Sequence, residues 1–307
     1  MRLVTYSTNG SPLRLGILLG DDTILDPQLA YCEKLIAAGQ GRAEELAQAL
    51  LPSDPTAFLA NGDFAVKAAG EAIEYAAGTP QTSALYNKAD VTLGSPVPKP
   101  NKIICVGLNY RDHIQEMGRE IPSVPLIFAK FGPAVIGPFD DVPRNAHLTQ
   151  KLDYEAEFAF VIGKKGKDIP RADAFDYVAG YCAVNDITAR DMQKRTLQWL
   201  QGKTLDASLP MGPCLVTKDE IEDPHNLNIT LTVNGEIRQT SNTKQLVFDV
   251  PQLVEFLSHI VTLEPGDVVC TGTPGGVGEA RGIFLQTGDV VRVELENVGV
   301  IENRIAE

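Results

Sequence analysis

The chain has 307 residues, with 27 Lys and Arg against 40 Asp and Glu, a formal net charge of −13. No basic stripe interrupts this acidity, which argues against partners such as nucleic acid or anionic membrane. Hydrophobic residues at 44% and charged ones at 22% exclude a fibrous or largely disordered chain. Cys32, Cys105, Cys182, Cys214 and Cys270 form no CxxC pair, and no apolar run resembles a leader or a membrane span. These features predict a cytoplasmic protein with reduced thiols.

In chain order, residues 1–95 read as strands and turns followed by helices, with 42–51 and 65–77 rich in the helix formers Ala, Glu and Leu. Ser95-Pro96-Val97-Pro98-Lys99-Pro100 interrupts regular structure, because proline removes a donor and biases its predecessor to extended backbone. It marks an expected junction between a small N-terminal domain, 1–95, and a larger one, 96–307. Residues 152–162 read as one largely buried strand, and 178–186 as another that passes into a helix over 187–194. Alternation of Leu227, Ile229, Leu231 and Val233 with polar residues predicts a strand, which Asn234-Gly235 turns into a hairpin. Asp249 is placed to cap a helix with Pro251 in its first turn and Leu253, Phe256, Leu257 and Ile260 on one face. Turns at 265–267, 287–289 and 297–299 punctuate a strand-rich C-terminal region.

The chemically informative stretch is Asp153-Tyr154-Glu155-Ala156-Glu157. Side chains alternate along a strand, so Glu155 and Glu157 point the same way while Ala156, Phe158 and Phe160 face the other. Two buried anions repel, and a divalent cation with hard oxygen preference, Mg²⁺, Mn²⁺ or Ca²⁺, would keep both ionised. The alternative is a solvent-facing pair on one side of a sheet. Asp186, at the end of the apolar run from Val178, offers a third carboxylate; Asp186 or Thr188 equally suits a helix cap.

Ile104-Cys105-Val106-Gly107-Leu108-Asn109-Tyr110-Arg111-Asp112-His113, the Asp153 to Glu157 strand, Val184-Asn185-Asp186-Ile187-Thr188-Ala189-Arg190-Asp191, Gly202-Lys203 with Asp206, and Thr271-Gly272-Thr273-Pro274 together resemble the fumarylacetoacetate hydrolase superfamily. The resemblance spans 102–304. It implies a β-rich α+β fold, with a mixed β-sandwich or roll in the catalytic domain, a small N-terminal α+β domain and a homodimer. It also implies Glu155, Glu157 and Asp186 as ligands of Mg²⁺ or Mn²⁺, with Ca²⁺ able to occupy the site.

The same resemblance casts Lys203 as the partner of a substrate oxygen or distal carboxylate, and Arg190, Gln193 and Thr273 as pocket residues that bind substrate. His113 and Glu116 lie three residues apart and share a helical face. A carboxylate beside imidazole raises its basicity, so the pair suits activation of a water; the plain alternative is a solvated surface pair. His147, His225 and His259 have no partner at ligand spacing, and Trp199 is placed to wall the pocket or to fill core.

The implied chemistry is metal-dependent cleavage of a C–C bond in a small anionic 2-oxo acid through a stabilised pyruvate enolate, as in acylpyruvate hydrolysis. Oxaloacetate decarboxylation requires the same enolate stabilisation but no attacking water, and isomerisation of a 2-hydroxyhepta-2,4-diene-1,7-dioate type of substrate from aromatic breakdown is a third reading of the same resemblance. A non-enzymatic scaffold would have no use for three carboxylates, the lysine and the His113–Glu116 pair together.

Overall fold

The computed structural model describes residues 1–307. Strands β1 (Arg2–Ser7), β2 (Arg14–Leu19) and β3 (Thr23–Leu25) form a meander, followed by helices α1 (Pro27–Ala37), α2 (Ala43–Leu50), α3 (Pro55–Ala60) and α4 (Asp63–Gly78) and short strands β4 (Leu85–Asn87) and β5 (Thr92–Gly94). The proline-rich segment leads into β6 (Ile103–Gly107), α5 (Arg111–Glu116), β7 (Leu126–Lys130), β8 (Val135–Ile136) and β9 (Val142–Pro143). Next come β10 (Leu152–Asp153), β11 (Ala156–Ile162), β12 (Val178–Asn185), β13 (Thr188–Ala189), α6 (Arg190–Gln193), α7 (Leu200–Lys203) and β14 (Leu209–Thr217). The chain closes with β15 (Asn228–Val233), β16 (Glu236–Asn242), α8 (Val250–Ile260), β17 (Val268–Cys270), α9 (Gly278–Arg281), β18 (Val290–Leu295) and β19 (Gly299–Ala306).

One large mixed sheet runs β4-β3-β2-β1-β14-β12-β11-β17-β6-β7, with β5 and β8 attached to β1 and β14. The N-terminal meander joins it where β1 pairs antiparallel with β14, Arg2 opposite Val216. A second sheet, β16-β15-β18-β19-β9, packs over one face of the first. Along β11, Phe158, Phe160 and Ile162 enter the core shared with that second sheet and α8. Ala159 and Val161 point to the opposite core, where α1 and the Ala-rich face of α4 pack. Alternation thus sends large side chains one way and small ones the other, and Glu157 shares the side of Ala159 and Val161. No helix is long and apolar enough to cross a membrane.

Local signals translate directly where they are short-range. Asp249 caps α8, accepting the Gln252 N–H while the Gln252 side chain accepts the Asp249 N–H. The buried face of α8 is Val250, Leu253, Val254 and Leu257, so Ile260, expected on it, is 51% exposed and Phe256 is half-buried. The strand expected over 152–162 is broken between β10 and β11. The N–H of Glu155 donates to Asn185 Oδ1 at 3.0 Å and that of Ala156 to Gln239 Oε1 at 2.9 Å, so side chains take the place of a ladder there. The helix expected over 187–194 is reduced to α6, because Thr188 and Ala189 pair with Asp153 and Leu152 instead.

Candidate active site

One cavity of about 570 Å³ is lined, among others, by His113, Glu155, Glu157, Arg190, Gln193, Trp199, Lys203 and Thr273. Glu157 lies in β11 and Glu155 just before it, while Asp186 follows β12. One oxygen from each of the three carboxylates lies within 4.8 Å of the others, and all three residues are buried. Neither cap suggested for the 187–194 segment is used, because α6 begins after Ala189 with no side-chain cap.

The carboxylates are compensated unequally. Lys203 Nζ donates to Glu155 Oε2 at 2.6 Å and to Asp186 Oδ2 at 2.8 Å. Lys130 Nζ, at the end of β7, donates to Asp186 Oδ1 at 2.8 Å and to the Ile187 carbonyl at 3.1 Å. Arg190 bridges Asp153 and Glu155, with Nε 2.8 Å from Asp153 Oδ2 and Nη2 2.7 Å from Glu155 Oε1. Burial pushes the Glu155 carboxyl up, but Lys203 and Arg190 outweigh it and hold it down to about 2. Glu157, 1% exposed, accepts the Gly272 N–H at 2.8 Å and pairs with no lysine or arginine. Burial, followed by the nearby Asp186, Cys105 and Glu155, drives its carboxyl well above the usual range.

This donor set fits a hard divalent cation. All three donors are oxygens, they converge, and Glu157 brings a buried negative charge with no protein cation to meet it. Without a cation such a group takes up a proton.

Gly202 explains how the lysine reaches the floor. A Cβ there would lie 2.4 Å from the Gln193 backbone nitrogen and 2.5 Å from the Ala189 carbonyl, so only glycine lets α7 press against α6 and deliver Lys203 inward. Its ammonium stands 4.9 Å from the centre of the Phe128 ring.

His113 sits on α5 and opens into the cavity, with Nδ1 3.6 Å from Glu116 Oε2. The Gly276 N–H holds both Glu116 oxygens, at 3.0 and 2.9 Å, and Asp112 accepts from Ser241 on β16, so α5 is pinned to the second sheet. The pairing with His113 comes first in holding the Glu116 carboxyl below its ordinary range. Thr273 Oγ1 accepts from Gln239 Nε2 at 2.8 Å, which leaves the threonine proton free for another acceptor. Gln193 Oε1 accepts from Arg190 at 3.2 Å, leaving its amide N–H groups unengaged.

All nine residues singled out in the sequence therefore gather at one place, seven of them lining the cavity, with Asp186 buried against Glu155 and Lys203 and Glu116 beside His113. Trp199 lines the cavity, whereas His147 and His259 are exposed and His225 Nε2 accepts the Val250 N–H at the start of α8. The sequence reading missed Lys130, Asp153 as the anchor of Arg190, and Gln239. Asp153 lies inside the quoted motif, two residues before Glu155, and that place was the available signal; nothing local marked Lys130 or Gln239.

Residues 102–306 match the fumarylacetoacetate (FAA) hydrolase C-terminal family. Over 99% of its length the chain is 42% identical to the oxaloacetate tautomerase fahd2, mitochondrial, of Xenopus laevis, covering 90% of that protein. It is also 42% identical to the oxaloacetate tautomerase YisK of Bacillus subtilis (strain 168), over 95% of each chain. Among solved structures, a fumarylacetoacetate hydrolase from Exiguobacterium antarcticum superposes with a TM-score of 0.79 at 32% identity, covering 100% of this chain and 99% of that one. A maleylpyruvate hydrolase from Sphingobium sp. SYK-6, in complex with manganese (II) ion and pyruvate, does so with a TM-score of 0.73 at 31% identity over the same shares.

Proposed function

Because the chain belongs to the fumarylacetoacetate hydrolase family, we propose that it is a divalent-metal-dependent enzyme that interconverts the enol and keto forms of a small 2-oxo acid of the oxaloacetate kind. The observation that carries this reading is His113 opening into the same cavity as Glu155 and Glu157, with Glu116 beside it. Two relatives named oxaloacetate tautomerase, each 42% identical over nearly the whole chain, support it. The sequence alone favoured C–C hydrolysis and did not single out this reaction.

Glu155, Glu157 and Asp186 would hold Mg²⁺ or Mn²⁺, which when bound supplies Lewis-acid polarisation of the 2-oxo oxygen. The chain's own residues do the rest. His113 takes a proton from the carbon beside the carbonyl; that C–H bond breaks, its electron pair forms the C=C bond of the enol, and the C=O π pair moves to the oxygen, which takes a proton from solvent as His113 returns its own to solvent. Glu116, clamped by the Gly276 N–H, keeps the imidazole oriented during the transfer. Lys203 keeps a positive charge beside the oxygen that becomes electron-rich, while Arg190 fixes Glu155. Thr273 and Gln193 offer hydrogen bonds to the substrate's carboxylate.

A second reading is hydrolysis of a 2,4-dioxo acid, in which the same His113–Glu116 pair would deprotonate water. Similarity to a maleylpyruvate hydrolase and a cavity roomy enough for a water beside the substrate favour it. Side-by-side assays with Mg²⁺ and with Mn²⁺, corrected for the metal-only background, test both. Enol decay of oxaloacetate, pyruvate release from oxaloacetate and cleavage of acetylpyruvate are followed for the wild type and His113→Ala. Accelerated enol decay that vanishes in the variant is the expected result. Cleavage of acetylpyruvate alone would establish the hydrolase, pyruvate release alone a decarboxylase, and inertness towards all three would overturn the reading.

A further inference from the structure

Four cationic side chains line the cavity, and three are already matched. Arg190 stands against Asp153 and Glu155, Lys203 against Glu155 and Asp186, and Lys194 against Glu279. The fourth, Arg119, is exposed at the mouth and makes no ion pair.

Its place is set by the backbone. Helix α5 ends in a left-handed turn at Gly118, φ 59°. The Gly118 N–H donates to the Gln115 carbonyl at 3.1 Å and the Arg119 N–H to the Ile114 carbonyl at 3.0 Å. This pair of bonds closes the helix and turns the chain back on itself, so that Arg119 lines the same cavity as His113, six residues before it.

We propose that Arg119 is a specificity-determining residue that receives the distal carboxylate of a dicarboxylic 2-oxo acid, an inference that rests on the reading of the pocket given above. A 2-oxo acid whose head lies at the three carboxylates sends its other end towards the mouth. There the guanidinium is the one cation free to form a paired, charge-assisted contact with a carboxylate. Shape alone discriminates weakly, because about 570 Å³ is ample for a four-carbon acid. A neutral tail gains nothing from Arg119, whereas an anionic tail does.

Trp199 is the sole tryptophan and lines the cavity, so its emission reports ligand entry independently of turnover. With Mg²⁺ present, pyruvate and oxaloacetate are titrated by rapid mixing into the wild type, Arg119→Gln and Arg119→Lys, and oxaloacetate turnover is measured in parallel. Arg119→Gln is expected to weaken oxaloacetate binding roughly tenfold or more, the effect of losing a charge-assisted hydrogen bond. Pyruvate binding should stay within about twofold, Arg119→Lys should recover part of the loss, and KM for oxaloacetate should rise more than kcat falls. Equal changes for both ligands, or none for either, would overturn the Arg119 assignment and leave the pocket reading intact. Failure of the wild type to bind either ligand would overturn the pocket reading, and this inference with it.

Discussion

Replacing Lys130 by methionine removes one ammonium from the floor of the site while nearly preserving side-chain length. The ammonium is fully buried and donates to Asp186 and to the Ile187 carbonyl. Losing a hydrogen bond to a charged group accounts for about 1.5–3 kcal/mol, and leaving a buried carbonyl unpaired for about 1–3 more. Asp186 keeps Lys203, so the net loss should fall near 3–5 kcal/mol, the range for breaking a buried ion pair. Denaturant unfolding of chelator-treated protein measures it. A second effect has the opposite sign: with one positive charge fewer beside the carboxylates, a divalent cation is held more tightly, so the Mg²⁺-induced rise in Tm should exceed that of the wild type. A loss smaller than about 1 kcal/mol, the ceiling for an exposed pair, together with an unchanged response to Mg²⁺, would refute the role assigned to Lys130.

Glu157→Gln removes the one ligand carboxylate without a cationic partner; in chelator the variant should be at least as stable as the wild type. It should also lack the metal-induced stabilisation, about 2.7 kcal/mol for the wild type at a metal concentration of 100 times Kd, as read by calorimetry. Burial, opposed by Asp249 and Asp223, holds the His225 imidazole below the ordinary histidine range. Its stabilising contribution is therefore complete above roughly pH 6.5, the unfolded value, and is lost as pH falls through the lower folded value. His225→Gln keeps an acceptor for the Val250 N–H, so the stability difference between wild type and variant should shrink through that window; parallel pH curves would reject the assignment. Gly202→Ala places a methyl 2.4 Å from a backbone nitrogen, and should lower stability by about 2 kcal/mol or more in urea unfolding and displace Lys203 with loss of turnover.

The parts of the fold legible in the sequence are those decided within a few residues. The Asn234-Gly235 hairpin needs two left-handed residues, φ 52° and 80°, and that dipeptide supplies them. Asp249 and Gln252 satisfy each other's backbone at the start of α8. Strand alternation likewise put Glu155 and Glu157 on one side, although the break before β11 depends on Asn185 and Gln239, which arrive from other strands. Lys130 shows the limit most clearly: a lysine ending an apolar strand reads as a solvent-facing terminus, and its partner Asp186 lies 56 residues further on. Charge balance inside the site is a long-range property, so the ligands could be named before their counter-ions.

The pairing of β1 with β14 also bears on how the chain is made. Met1 and Thr217 are hydrogen-bonded across 216 residues of sequence. At roughly 5–20 residues per second, about 10–40 s of synthesis separate the emergence of β1 from that of the strand it will join. During that interval β2 and β5 cover the flanks of β1 that they pair in the finished sheet, while its first residues wait for β14. The nascent chain therefore carries an open strand edge until β14 arrives, and a ribosome-bound fragment ending before residue 209 should be more prone to self-association than one that extends past residue 217.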